Sequence, residues 1–146
     1  MTATTTGPRL DDLRIGDRIP ELRRTPTRVQ LFRYSAITWN THRIHVDPEY
    51  AAEEGYPDVL VQSHLHGAFL VSLCTDWIGT AGRLVRLEVS VKRFAVPGDV
   101  LVCAGEVTGI EPVDDTQGLV HLDLTETREA DGVVCAIASA SVALPR

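Results

Sequence analysis

The chain lacks a long apolar run, a surplus of positive charge and close-set cysteines, and each absence removes a class of function. No apolar stretch reaches the length of a membrane span, and the first eight residues hold no apolar core of a signal peptide. A soluble, cytoplasmic protein without a membrane partner is therefore expected. Fourteen Lys and Arg stand against twenty Asp and Glu, a net charge of −6, whereas a nucleic-acid partner calls for a basic surface. The three cysteines, Cys74, Cys103 and Cys135, are far apart, odd in number and set among apolar residues. They fit no metal or redox spacing and read as buried free thiols. There is no internal repeat and no linker. Residues 1–10, rich in Thr with Gly and Pro, read as a flexible tail, and residues 11–146 as one domain. With 44% hydrophobic and 23% charged residues, that domain has the composition of a globular core.

What is present is ordered by local signals. Leu13 to Asp17 reads as a turn into a short strand over Arg18 to Arg24, which Pro20 confines to a sheet edge or a bulge. Thr27 is placed to cap a helix running to about Ile37, with Val29, Phe32 and Ala36 near helical spacing. Alternation in Val29-Gln30-Leu31 also fits a strand. Asn40 to Asp47 is too polar for a core element and reads as a loop pinned by Trp39, Ile44 and Val46. Asp47 then caps a short helix from Pro48 to Glu54, ended by Gly55. From Ser63 to Ile78, apolar residues recur at three- and four-residue spacing, with Ser63 as N-cap and Gly79 as terminator. Val85, Leu87, Val89 and Val91 alternate with polar residues as in a strand buried on one face. Val96-Pro97-Gly98-Asp99 forms a turn, and strands follow at about Val100–Ile110, Leu119–Glu129 and Val133–Leu144. One long central helix followed by antiparallel strands is an α+β arrangement, with the sheet wrapped around the helix.

Arg43-Ile44-His45-Val46-Asp47-Pro48-Glu49-Tyr50-Ala51, the helix after Gln62-Ser63, and Phe94 to Asp99 together resemble the MaoC-like hydratase/dehydratase family of hot-dog folds. The likeness runs from about Leu13 to Leu144, and its first and last stretches are the specific ones. It implies a single hot-dog domain acting on an acyl-CoA or acyl-carrier thioester, with no cofactor, because CoA enters as part of the substrate. It also implies a dimer, since a lone hot dog exposes a sheet edge and half a pocket. In the family a loop supplies Asp and, after four residues, His. His45 falls on that histidine, and Asn40 stands at the aspartate. Trp39 to His45 looks most like the branch of mesaconyl-CoA hydratases and mitochondrial-type hydroxyacyl-thioester dehydratases, where Asn is a usual form. That branch carries His-Gly where this chain has Gln62-Ser63. Thr75 to Gly79 resembles the small subunit of two-chain hydratases acting on sterol side-chain thioesters, which implies a heterodimer as the other oligomeric form.

Adding water across an enoyl thioester requires a base for water, an acid for the α-carbon and donors for the thioester oxygen. The resemblance assigns proton transfer to His45, whose imidazole titrates near neutral pH. Asn40 is barely basic, so its expected part is to orient the water by hydrogen bonds. His42 either replaces the missing acid or supports the loop. The backbone N–H of Ser63 is the candidate oxyanion donor, at a helix start where unpaired N–H groups point outward, a role compatible with that of a helix cap. Gln62, His64 and His66 are expected at the pocket wall, although Gln62 and His66 also read as polar neighbours without a task. For CoA phosphates, Arg43, Arg83, Lys92 and Arg93 are candidates. A four-histidine metal cluster of His42, His45, His64 and His66 lacks a known ligand spacing, so no metal is expected.

The expected activity is reversible hydration of the 2,3-double bond of an enoyl thioester. Its first rival is a non-catalytic or partner-dependent subunit of a heteromeric hydratase, motivated by Asn40 and Gln62-Ser63. The second is a hot-dog thioesterase, which would need a carboxylate on the central helix, where Asp76 stands alone near the far end.

Overall fold

In the computed structural model, which describes residues 7–146, five strands form one antiparallel sheet and three α-helices accompany it. In chain order these are β1 (Arg18–Arg24), α1 (Arg28–Thr38), α2 (Pro48–Glu53), α3 (Ser63–Ile78), β2 (Arg83–Val91), β3 (Leu101–Pro112), β4 (Gln117–Arg128) and β5 (Val134–Pro145). The sheet order is β1-β3-β4-β5-β2, so β1 and β2 are its edges. β1 shifts register between Ile19 and Leu22, at the proline that a regular ladder would not accept.

Two turns fix the hairpins. Asp114 Oδ1 accepts the N–H groups of Thr116 (2.7 Å) and Gln117 (3.0 Å), folding the β3–β4 connection on itself. Gly132, at φ +70°, turns β4 into β5. Along β4, Val120, Leu122 and Leu124 are buried while Asp123 and Thr125 are exposed, so one sheet face is core. On that face lies α3, in contact with all five strands. Leu65, Phe69, Leu70, Leu73, Cys74 and Ile78 are buried along it, covering more than one stripe of the helix. Each such side chain removed from water contributes roughly 1.5–3 kcal/mol. This is the α+β hot-dog arrangement expected, a curved sheet around one central helix.

Three expectations need correction. Ser63 is the first helical residue and not the N-cap; Gln62 holds that position and makes no side-chain cap bond. In α1, Thr27 caps as expected, accepting the N–H of Gln30 at 3.1 Å, but the buried residues are Leu31 and Ser35. Val29 and Phe32 are 60% and 63% exposed, because α1 meets the body of the protein along a single narrow line. In β2, Val85, Val89 and Val91 are exposed and the strand meets the core through Leu84 and Leu87, because it is a sheet edge whose regular alternation is broken by a register shift between Leu84 and Arg86. Of the tail expected over residues 1–10, residues 1–6 lie outside the described residues, while Leu10 is buried against the core. No described helix is long and apolar enough to cross a membrane.

Candidate functional site

The polar loop between α1 and α2 is held by its own side chains. α1 ends at Trp39 in the left-handed conformation (φ 56°), and the Asn40 N–H donates back to the Ser35 carbonyl at 2.9 Å. Asn40 Oδ1 accepts the His42 N–H at 3.2 Å. His42 Nδ1 accepts the Ile44 N–H at 3.2 Å and so caps a single helical turn over Arg43–His45. At the loop's end Asp47 Oδ1 accepts the N–H groups of Glu49 and Tyr50, both at 3.1 Å, and starts α2. Arg43 donates to Asp47 Oδ2 through Nε (3.1 Å) and Nη2 (2.7 Å) and lies 4.7 Å above the Tyr50 ring. That guanidinium holds the Asp47 carboxyl below its usual range.

His45 is half-buried in this loop. Its Nδ1 donates to the Leu60 carbonyl at 2.8 Å, and a carbonyl can only accept. The Nδ1 proton is thereby fixed, and in the neutral ring Nε2 is left as a bare lone pair. Burial pushes the imidazole below its ordinary pKa, against the Leu60 carbonyl, which raises it; nearby His42 lowers it further. His45 is therefore neutral at pH 7 and able to take a proton at Nε2. His42 packs edge-on against both His45 and Tyr50, with ring centroids 5.9 Å apart in each case. Because His42 Nδ1 accepts, its neutral ring carries the proton on Nε2.

Leu60 also connects this loop to α3. The Leu60 N–H donates to the Ile44 carbonyl, and the Val61 N–H to the Ala95 carbonyl of the Phe94–Asp99 turn, both at 2.9 Å. Two residues later α3 begins, and none of the described groups accepts from the N–H of Ser63 or His64. These donors sit at the positive end of a sixteen-residue helix. Ser63 and His64 are exposed and border a groove of about 790 Å³ that runs beside Gly67, Ala68 and Val71 to the open edge of β2 at Val89 and Val91.

The structure thus gathers the expected residues in two groups joined through Leu60. Asn40, His42, Arg43 and His45 form one, and Ser63 and His64 the other. Gln62 and His66 belong to neither. They were expected at the pocket wall, and both are buried, at 0% and 1% exposure. Gln62 Nε2 donates to the Leu31 carbonyl (2.8 Å) and to Ser35 Oγ (2.9 Å). His66 Nδ1 is hydrogen-bonded to Glu126 Oε1, and Glu126 is wholly buried beneath α3. With His66 turned into the core the four histidines do not converge, and no metal-binding group of three ligands occurs among the described residues. Arg83, Lys92 and Arg93 are exposed. Glu126 and Ser35 were not singled out from the sequence. For Glu126 a signal exists, because it continues the inward parity of Val120, Leu122 and Leu124. Ser35 carries none.

Residues 14–94 match the model of the family described as hydroxyacyl-thioester dehydratase type 2. Over 44 residues, 30% of this chain, the sequence is 52% identical to the mesaconyl-C(4)-CoA hydratase of Chloroflexus aurantiacus, and the match spans 16% of that protein's length. Among solved structures, a MaoC-like dehydratase from Rhodospirillum rubrum superposes with a TM-score of 0.83 at 20% identity, covering 96% of this chain and 98% of that one. A chain of the ChsH1–ChsH2 complex from Mycobacterium tuberculosis gives 0.78 at 18% identity, covering 90% and 98%. These likenesses show a shared hot-dog fold, and the family match extends over more than half of the sequence. The chain belongs to the hydroxyacyl-thioester dehydratase type 2 family, within the MaoC-like hot-dog hydratases and dehydratases.

Proposed function

We propose that the protein catalyses the reversible addition of water to the 2,3-double bond of an enoyl thioester, with CoA or a carrier as the thiol. One observation carries this reading. His45 is held by the Leu60 carbonyl with a bare, neutral Nε2, on the same short segment that leads into the uncovered N–H groups of α3. In the forward direction Nε2 takes a proton from water while the water oxygen bonds to C3. The electron pair of the double bond moves toward the thioester oxygen, and the N–H groups of Ser63 and His64 stabilise that charge. The imidazolium returns its proton to C2, so one H and one OH are added and the ring is restored. Asn40, whose Oδ1 keeps a second lone pair beyond its bond to His42, orients the water. Dehydration is the same path reversed. No cofactor enters, and the exposed Arg83, Lys92 and Arg93 are offered to the carrier's phosphates.

The groove at α3 is open along the β2 edge, where Val85, Val89 and Val91 are exposed. A second hot-dog chain covering that edge completes the reading, either a copy of this chain or a related one, as the two-component neighbour suggests.

The test is loss of enoyl absorbance at crotonyl-, mesaconyl- and longer enoyl-CoAs, with His45→Ala beside the wild type. Turnover that drops by roughly 10²–10⁴ in the variant supports the assignment. A folded wild type that turns over none of these substrates refutes hydration by this chain alone. Activity gained only with a co-purifying hot-dog chain would then establish the partner-dependent reading.

A further inference from the structure

We infer that Gln62 is a positioning residue, whose side chain sets the separation between the loop carrying Asn40 and His45 and the free N–H groups at the start of α3; this rests on the hydratase reading. Residues 60–62 form a hub with a different partner at each position. Leu60 binds the loop twice, through Ile44 and through His45 Nδ1. Val61 binds the turn at Ala95. Gln62 binds α1, giving both amide hydrogens to Leu31 and Ser35. Ser35 in turn accepts the Asn40 N–H on its carbonyl, so a chain of two bonds, each 2.9 Å, joins the residue before Ser63 to Asn40.

The arrangement is not what stability alone selects. Gln62 is fully buried and its Oε1 has no partner among the described residues, which is costly in an apolar interior. An N-cap Ser, Asp or Asn would cover the α3 donors, and Gln62 makes no cap bond. Its amide instead reaches across to α1, a helix with only Leu31 and Ser35 buried, whose other tie to this segment is the Arg28–Asp58 pair at 2.9 Å. Without Gln62, no hydrogen bond among the described residues joins α1 to the start of α3, and apolar packing alone does not fix direction.

The experiment uses the full chain, with any partner it requires, as wild type, Gln62→Met, Ser35→Ala and the double variant. Folding is read by urea melts, activity as kcat and KM on crotonyl-CoA, and the loop by NMR titration of the His45 ring. Met keeps the length of Gln and removes its donors. For folded Gln62→Met, kcat is expected to fall by roughly 10–100-fold with KM changed less than about twofold. Ser35→Ala loses less, and the double variant loses no more than Gln62→Met, because the two act through one bond. The His45 titration moves up toward the ordinary imidazole value as the loop hydrates. A residue that only supports the fold would shift the melt and leave kcat and His45 unchanged. Folded Gln62→Met and Ser35→Ala with wild-type kcat and an unmoved His45 titration would overturn the inference. Should Gln62→Met fail to fold, Ser35→Ala decides by the same two readouts. Should the wild type hydrate no enoyl thioester, the catalytic reading falls while the His45 titration still decides for or against Gln62.

Discussion

Replacing His66 by Leu strands a carboxylate in the core. His66 is 1% and Glu126 0% exposed, and the imidazole Nδ1 bonds Glu126 Oε1. Among the described residues, the other carboxylate oxygen has only the weak thiol donor of Cys103, at 3.9 Å. Leu is close to His in volume, so the packing term is small and the loss is electrostatic. Breaking a buried pair from one side costs about 3–5 kcal/mol. At roughly 3 °C per kcal/mol for a chain of this size, Tm falls by about 10–15 °C. Glu126→Leu leaves a polar but uncharged ring and costs less, roughly 1–3 kcal/mol. The double variant removes both polar groups and recovers most of the loss, because apolar replacement of a buried pair is close to neutral. The assay is urea unfolding of all four proteins at one protein concentration, since association adds to apparent stability. A His66→Leu cost below about 1 kcal/mol with unchanged m, or additive single losses in the cycle, would refute the pair as a buried, coupled unit.

Two further outcomes follow from burial. An ordinary imidazole titrates near 6.5, and burial lowers His45, so the acid limb of kcat/KM is expected below about 6.5. The stability sign agrees: the unfolded chain takes this proton first as pH falls, so the His45 contribution is complete above about 6.5 and is lost through the lower folded value. An acid limb centred above 6.5 would contradict the geometry. Burial also pushes the Cys74 thiol up to about 11 and Cys103 up to about 12. With an aromatic disulfide reagent at pH 8, both are expected to be silent in the native protein and to react in urea; rapid native reaction at either would show that α3 is not seated on the sheet.

The fold was legible where the local signal and the tertiary environment agree. The strands expected at about Val100–Ile110, Leu119–Glu129 and Val133–Leu144 fall within two residues of the ends of β3, β4 and β5, since one face of each is core. Asp47 with Pro48 marked α2, and Gly79, at φ 57°, ended α3 as its position suggested. The apolar residues of α1 and β2 misled for a common reason. Val29, Phe32, Val85 and Val89 have the right period, but both elements lie at the margin of the fold, where Leu31, Leu84 and Leu87 reach the core and these four do not. Periodicity states which residues share a face. It does not state what that face meets.

The residues of the candidate site were legible in the sequence, and the groups that support them were not. His45 stands in a motif, but the Leu60 carbonyl that fixes its tautomer is a backbone atom fifteen residues away and leaves no mark in composition. Gln62 and His66 lie within three residues of Ser63 and read from sequence as pocket wall or as polar neighbours without a task, and a helix that enters the core turns its nearby positions to opposite environments within one turn. Ser63 is the sharper case. By intrinsic preference a serine before an apolar helix is a cap, and its hydroxyl would then cover an N–H of the first turn. Instead the helix begins at Ser63, Gln62 turns its amide away toward α1, and the first donors remain uncovered. The rule of local stability fails at the position where the proposed chemistry requires free N–H groups, and such failures concentrate at functional sites.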